Sequence, residues 1–373
     1  MAKCHWWPLF GAAIIITGGA FAITYFTHTG VFAESSSSSS NDPGKPAGKP
    51  TKNATCPYRG YYANSKNDCV ACPTPTKTFA VFWQTYTDGC LDFVKSDAFQ
   101  YITHIYWGFA LINNQTGEVS QTFQGNDATL QTCVNAMKKK CVKQYASIGG
   151  QTERANFLSL DTPAKIAAFG KSAAALVQKF GFDGIDVDDE SGNLLAKGDW
   201  KTNASPNVAS YLQSLRTNLD ALPRKSQEPA YGLTWDEFFT SMDPTCNAPT
   251  GDYQRCFDPA LASLVDEVNI MAYNAETGVT YDTLLTTTVP TLWTAAIPPA
   301  KLIMGGCVGT PKDQGACSYG ASPTSAQLVG YATDGAAKYG GTMLWTASTD
   351  IQLNKGANMI GMGKAGNYGI SLA

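Results

Sequence analysis

From residue 78 onward, short apolar runs alternate with longer stretches in which apolar residues recur at helical spacing. The runs are Phe79–Trp83, Ile102–Ala110, Gln144–Ile148, Gly181–Asp188, Tyr231–Thr234, Glu267–Tyr273, Leu302–Gly305 and Thr342–Trp345. Their length predicts strands. Thr162–Phe180 is a clear helical stretch between them: Pro163 suits a first turn, and Ile166, Phe169, Ala173, Val177 and Phe180 share one face. Gly181 then ends the helix and opens the next strand. Eight strand-then-helix units predict an α/β protein, a (β/α)8 TIM barrel.

The fourth run is unlike the others because it carries a row of acids. Asp183, Asp186, Asp188 and Glu190 stand at the spacing D-x-x-D-x-D-x-E among Phe182, Ile185 and Val187. Side chains alternate along a strand, so Asp186, Asp188 and Glu190 point to one face and Ile185 and Val187 to the other. Asp183 has the opposite parity, which assigns it a structural role. Carboxylates in a row on a buried strand cannot all ionise freely, so at least one pKa is expected to rise toward neutrality. That is how a general acid stays protonated at working pH. A calcium loop beginning at Asp186 would need Gly at its sixth position and Glu at its twelfth. Those positions hold Ser191 and Lys197. In a barrel of this kind the C-terminal ends of the strands build the active site, and Glu190 stands at such an end.

Before the barrel the pattern changes twice. Lys3 precedes an apolar run from Trp6 to Phe26, close to the length that spans a bilayer. Residues 1–33 are therefore expected to be a signal anchor or a signal peptide, with Val31-Phe32-Ala33 as a possible cleavage site. Residues 34–55 hold a Ser run and then alternating Pro, Gly and Lys, and they read as a flexible linker. Residues 56–77 form a Cys-containing lead-in, with the barrel domain following over 78–373. Either reading of the N-terminus puts the remaining chain outside the cytoplasm, secreted or membrane-anchored. The triplets at Asn53, Asn114 and Asn203 fit a secretory route with glycosylation.

Cysteine usage agrees with that compartment. Beyond Cys4 there are ten: Cys56, Cys69, Cys72, Cys90, Cys133, Cys141, Cys246, Cys256, Cys307 and Cys317. An even set behind a secretory-type N-terminus predicts five disulfides. Local spacing favours Cys133–Cys141, Cys246–Cys256 and Cys307–Cys317, with Cys56, Cys69, Cys72 and Cys90 pairing among themselves. Zinc at Cys69-x-x-Cys72 is disfavoured because there is no second such pair and no His nearby. No metal and no cofactor is expected. The formal net charge is −3 and charged residues are 15% of the chain, which argues against a nucleic-acid partner. Membrane contact is expected only through the N-terminal segment, and the protein is expected to be a monomer.

The acidic stretch resembles the signature of glycoside hydrolase family 18, which contains many chitinases and some endo-β-N-acetylglucosaminidases. Three further segments follow in that family's order. Ser147-Ile148-Gly149-Gly150 is similar to its third-strand S-x-G-G, and Met271-Ala272-Tyr273-Asn274 to its sixth-strand M-x-Y-D/N. Gly340-Gly341-Thr342-Met343-Leu344-Trp345 is similar to its eighth-strand segment. The stretch Gly306–Gly341 has room only for a helix and a short loop, so the extra α+β domain of the larger members is absent. That implies a compact form with an open groove.

The resemblance implies roles residue by residue. Glu190 is the general acid and base. Asp188 holds the substrate's acetamido N–H and stabilises the charge of an oxazolinium intermediate. Asp186 shares a proton with Asp188, and Tyr273 holds the acetamido oxygen in line for attack. Trp345 stacks under the sugar in the reactive subsite, while Met271 and Asn274 belong to the sixth-strand wall. Ser147, Gly149 and Gly150 allow close packing beside it. The implied reaction is retaining hydrolysis of β-1,4 linkages between N-acetylglucosamine units in chitin or chitooligosaccharides. Asp189 makes the local sequence Asp-Asp-Glu, as in the family members that cleave the N-glycan chitobiose core, which leaves that activity as an alternative. A non-catalytic chitin-binding lectin or decoy on the same fold is a third.

Overall fold

The computed structural model describes residues 56–192, 205–244, 246, 255–275, 279–310, 315–318 and 320–372. The expected N-terminal apolar segment, the linker and the triplets at Asn53 and Asn203 lie outside the described residues, as does Lys197. Among the described residues no helix is long and apolar enough to cross a membrane.

A short antiparallel hairpin, β1 (Tyr61–Ala63) and β2 (Cys69–Ala71), opens the described chain. Eight strands follow: β3 (Thr78–Gln84), β4 (His104–Ala110), β5 (Lys143–Gly149), β6 (Gly184–Asp188), β7 (Gly232–Phe238), β8 (Glu267–Met271), β9 (Leu302–Cys307) and β10 (Gly341–Trp345). They close into one barrel in the order β10-β3-β4-β5-β6-β7-β8-β9, every neighbouring pair parallel. This is the TIM barrel that the alternation of runs predicts. Strands of a parallel barrel are covered on both faces, and the buried patterns of β3, β6 and β9 reflect that.

Local chemistry sets the element ends. Helix α4 (Pro163–Phe180) has Thr162 as N-cap and Pro163 in its first turn, and it ends at Gly181 in the left-handed region at φ 68°. Phe169, Ala173, Val177 and Phe180 are buried against the barrel as the periodicity predicts. Strand β6 therefore begins at Gly184, after the cap. Strand β7 runs four residues past the predicted Thr234. Its pattern continues as Trp235-Asp236-Glu237-Phe238, and both acids are buried, a combination that reads in sequence as a strand end.

Five disulfides join Cys56–Cys69, Cys72–Cys141, Cys90–Cys133, Cys246–Cys256 and Cys307–Cys317. The number agrees with the sequence, but the expected Cys133–Cys141 pair does not form. Cys133 sits in helix α2 (Asp127–Lys138), where it meets Cys90 of helix α1 (Cys90–Lys95). The rest of α2 and its closing turn carry Cys141 away to the start of β5, where it meets Cys72 of the lead-in. Cys72 and Cys90 therefore pair outside the group of four to which spacing assigned them.

The lead-in packs on the N-terminal side of the strands. Arg59 bonds Asp183 at 3.3 Å and lies 3.9 Å over the Tyr231 ring, while Asp183 Oδ2 accepts from Gln144 N at 2.9 Å. Asp183 thus has the structural role its parity implies. A cavity of 1480 Å³ lies here, lined by residues such as Arg59, His104, Lys143 and Glu267. It is at the opposite end from the acids of β6, where barrel chemistry is built.

Candidate active site

Strand β6 delivers Asp186 and Asp188 into the barrel interior and stops. Asp186 is fully buried and held from three neighbouring strands. Ser147 Oγ of β5 donates to it at 2.7 Å, Thr234 Oγ1 of β7 at 2.6 Å and Asn269 Nδ2 of β8 at 3.4 Å. Register explains the β5 contact, since Ser147 pairs with Asp186 and Gly149 with Asp188. Gly149 has φ 128°, and a Cβ there would stand 2.0 Å from the Asp188 carbonyl oxygen, so only glycine fits. Gly150 N donates to that same oxygen at 2.9 Å.

Sequence reasoning missed a third interior acid. Asp236 on β7 has the same inward parity as Thr234 and is 1% exposed. Asp188 Oδ1 and both Asp236 oxygens are buried with no donor in hydrogen-bond geometry. Three carboxyls buried together in one interior cannot all be charged without cost. Burial pushes Asp186 up to about 6, against the pull of its hydroxyl donors. Burial and the charges of Glu190 and Asp186 push Asp188 well above the carboxylate range. Burial and the charges of Asp186 and Asp188 do the same to Asp236. A proton on Asp236 would bond to the Asp186 carboxylate beside it.

Glu190 lies two residues past the end of β6, half-buried, where the barrel opens. Burial raises its pKa to about 7, and the positive charges of Arg154 and Arg255 restrain the rise. Arg154, in helix α3 (Arg154–Leu158), also donates from Nε to the Glu190 carbonyl at 2.8 Å. Tyr273 follows β8 and is buried near these acids. Burial, then the charges of Asp188, Asp236 and Glu190, push its phenol well above the usual range. It therefore stays a hydroxyl donor at any working pH.

The remaining sequence candidates divide. Trp345 ends β10, half-buried, stacked on Phe109 at 5.5 Å and edge-on to Phe82, with Nε1 donating to Ala316 O at 2.9 Å. Those contacts orient the indole. Met271 is buried within the hydrophobic core. Asn274 stands in the left-handed region at φ 54° and accepts from Ser318 N at 2.8 Å, which ties the β8 end to the loop after β9.

Asp189 faces away from the other acids. Odd parity turns it out of the barrel, where Oδ2 accepts from Tyr211 of helix α5 (Ser205–Asp220) at 2.8 Å and lies 3.5 Å from Arg255. Arg255 Nε also bonds Glu237 at 2.8 Å, and both side chains are 0% exposed. Glu237, Arg255 and Tyr211 were invisible as site candidates. The inward and outward parity of Trp235-Asp236-Glu237 was the one available signal. Among the described residues no group of His, Cys, Asp and Glu is arranged to hold a metal.

Comparison with known proteins adds a second line. The family model of glycosyl hydrolases family 18 matches residues 78–310, more than half of the chain. Endochitinase 1 of Metarhizium anisopliae is 29% identical over 138 residues, 36% of this chain and 28% of that protein. Endochitinase 1 of Metarhizium robertsii matches to the same extent. The matched segment thus spans little more than a quarter of these curated relatives. A class V chitinase mutant from Cycas revoluta, solved in complex with (GlcNAc)3, is 20% identical over 77% of this chain and 99% of its own, with TM-score 0.60. A chitinase from Rhizomucor miehei is 19% identical over 78% of this chain and 100% of its own, with TM-score 0.57. At such identity the structural likeness speaks to the fold.

Proposed function

The chain belongs to glycoside hydrolase family 18, and on that premise we propose that it is a retaining, endo-acting chitinase. Its substrates are the β-1,4 linkages between N-acetylglucosamine units in chitin or chitooligosaccharides. The observation that carries the proposal is Glu190, a half-buried acid at the open barrel end whose pKa burial raises to about 7, backed by Asp188 and Asp186, whose pKa values are raised as well. A carboxyl so poised donates a proton to the leaving glycosidic oxygen and then takes one from water.

The usual second step needs a nucleophilic carboxylate beneath the ring, but this family is an exception in which the substrate assists. Asp188, Asp186 and Asp236 share one interior wall with each other, and Asp188, kept protonated or sharing a proton, suits bonding to an acetamido group. In this reading the acetamido oxygen attacks the anomeric carbon, Asp188 holds its N–H and Tyr273 donates to the oxygen. Trp345 forms the floor, and Ser147, Gly149, Met271 and Asn274 shape the walls around it. Asp189 has a structural occupation with Tyr211 and Arg255, which accounts for the Asp-Asp-Glu sequence without a special substrate.

The five disulfides support an oxidising, extracellular setting. Residues 1–33 are proposed as the targeting element, 34–55 as a linker, 56–77 as the lead-in and 78–373 as the catalytic domain. Incubation with a chitin oligomer and, separately, a high-mannose glycopeptide tests the substrate. Cleavage of the oligomer with a β-anomer as first product is expected, together with inertness of deacetylated chitosan. An initial α-anomer, or good hydrolysis of cellulose, would sink the mechanism. Cleavage of the glycopeptide alone would move the substrate to the N-glycan core.

A further inference from the structure

We infer that Arg255 is a positioning residue for Glu190: it fixes the Asp189 carboxylate, and Asp189 fixes the turn on which Glu190 stands. The inference rests on Glu190 acting as proposed above. Asp189 precedes Glu190 in the chain, and its Oδ1 accepts from the backbone N of Ser191, the residue after Glu190, at 2.8 Å. The acid is thereby bracketed on both sides by one carboxylate. That carboxylate is itself 2% exposed and is gripped at Oδ2 by the Tyr211 hydroxyl at 2.8 Å and by Arg255 at 3.5 Å.

Arg255 has little freedom to release it. Its guanidinium is 0% exposed, bonded through Nε to Glu237 at 2.8 Å, and lies 5.1 Å over the Trp235 ring and 5.3 Å over the Phe238 ring. It also immediately precedes Cys256, whose disulfide to Cys246 closes the segment that follows β7. The staple, the cation, the carboxylate and the acid form a continuous chain of contacts. A buried Arg–Glu pair kept for stability alone is replaceable by apolar side chains. This one extends its second contact to the residue beside the proposed acid.

The charges around Glu190 give the network a readout. Asp188 and Asp189 approach from its own strand, Arg154 from α3, Arg255 from the segment after β7, and Tyr273 from the end of β8. Glu237 and Tyr211 stand behind Asp189 and Arg255. Removing the Asp189 charge leaves Arg255 less compensated and lowers the Glu190 pKa. Removing the Arg255 charge raises it.

The test compares wild type with Asp189→Asn, Arg255→Met, Tyr211→Phe and Glu190→Gln in the disulfide-bonded protein, on an N-acetylglucosamine tetramer. Asp189→Asn is expected to lower kcat by ~10-fold with KM within ~3-fold, as for displaced catalytic geometry. Its alkaline pH limb is expected to move down, and that of Arg255→Met up, each by ~0.5 unit. Tyr211→Phe, which removes one hydroxyl, should give a smaller fall in kcat in the same direction as Asp189→Asn. If Arg255→Met fails to fold, the isosteric Asp189→Asn and Tyr211→Phe decide. Folded variants with wild-type kcat and an unmoved limb would overturn the inference. Carbon-13 NMR titration of the Glu190 carboxyl in wild type and Asp189→Asn reads the same shift without turnover. A wild type that does not hydrolyse the tetramer therefore defeats the proposed function, while an unshifted carboxyl defeats this inference.

Discussion

Two groups of buried acids stand back to back across strands β6 and β7, and they solve the problem of charge in opposite ways. Inside the barrel, Asp186 is held by hydroxyl and amide donors, and neither it nor Asp188 nor Asp236 forms a salt bridge among the described residues. Burial raises the pKa values of all three, and neighbouring acid charges add to the rise at Asp188 and Asp236. Outside it, Asp189 and Glu237 share the single guanidinium of Arg255, with Tyr211, Trp235 and Ser241 completing their bonds. The two groups differ by one residue of parity. Burial alone therefore does not decide how a carboxyl is accommodated; the nature of its partner does. The inner acids are set by burial and by one another, whereas the outer pair is tied to an arginine.

The largest effect should come from the acid that belongs fully to neither group. Glu190→Gln removes a proton and keeps the shape, so hydrolysis should fall by ~10²–10⁴ while oligosaccharide binding persists. Calorimetry for binding and product analysis for turnover check both halves. Turnover within a few-fold of wild type would place the acid elsewhere.

Next in size is the outer group. Glu237→Gln leaves Arg255 buried with Asp189 alone, and removing one member of a buried ion pair costs about 3 kcal/mol or more. Denaturant unfolding at pH 7 measures it. A loss below ~1 kcal/mol would mean that Arg255 is satisfied without Glu237 and that the clamp is weaker than its geometry indicates.

The inner group predicts the contrary for a matched change. Asp236 holds its carboxyl well above the carboxylate range because of burial and the charges of Asp186 and Asp188. An amide mimics the protonated acid, so Asp236→Asn should be within ~0.5 kcal/mol of wild type at pH 7. The same unfolding experiment decides it. A loss as large as that of Glu237→Gln would show Asp236 ionised and erase the distinction between the two faces.

How far this was legible in sequence follows the same parity. The barrel was readable because each strand is a short apolar run bounded by a helix. The inner row on β6 was readable because Asp186 and Asp188 interrupt such a run at a period of two. Asp236 escaped because β7 appeared to end at Thr234, where charged residues begin. The outer clamp was less accessible still. Arg255 reaches Asp189 across 66 positions of chain, and nothing periodic links them. The disulfides show the same limit: Cys246–Cys256 and Cys307–Cys317 close local loops and were found from spacing. Cys72–Cys141 and Cys90–Cys133 depend on which way a helix carries its cysteine, and were not.

The effect most specific to Glu190 is in the pH dependence of stability. Its pKa rises from an ordinary 4.5 to about 7 on folding, chiefly because burial penalises the charged form. Between those values the folded state binds more protons at this site than the unfolded state. The stability that protonated Glu190 contributes is therefore complete below pH 4.5 and is lost as pH rises through 7. Glutamine at this position does not titrate. Wild type should thus compare best with Glu190→Gln near pH 4 and lose ground to it steadily up to pH 8, where the variant's relative stability is greatest. Denaturant midpoints for the two proteins across that range supply the difference directly, and subtraction removes the titration of groups they share. A difference that stays flat, or that runs the other way, would mean that Glu190 is ordinarily acidic in the folded protein. The arginines beside it would then outweigh burial, and Glu190 would stand with the clamped acids rather than with the inner ones.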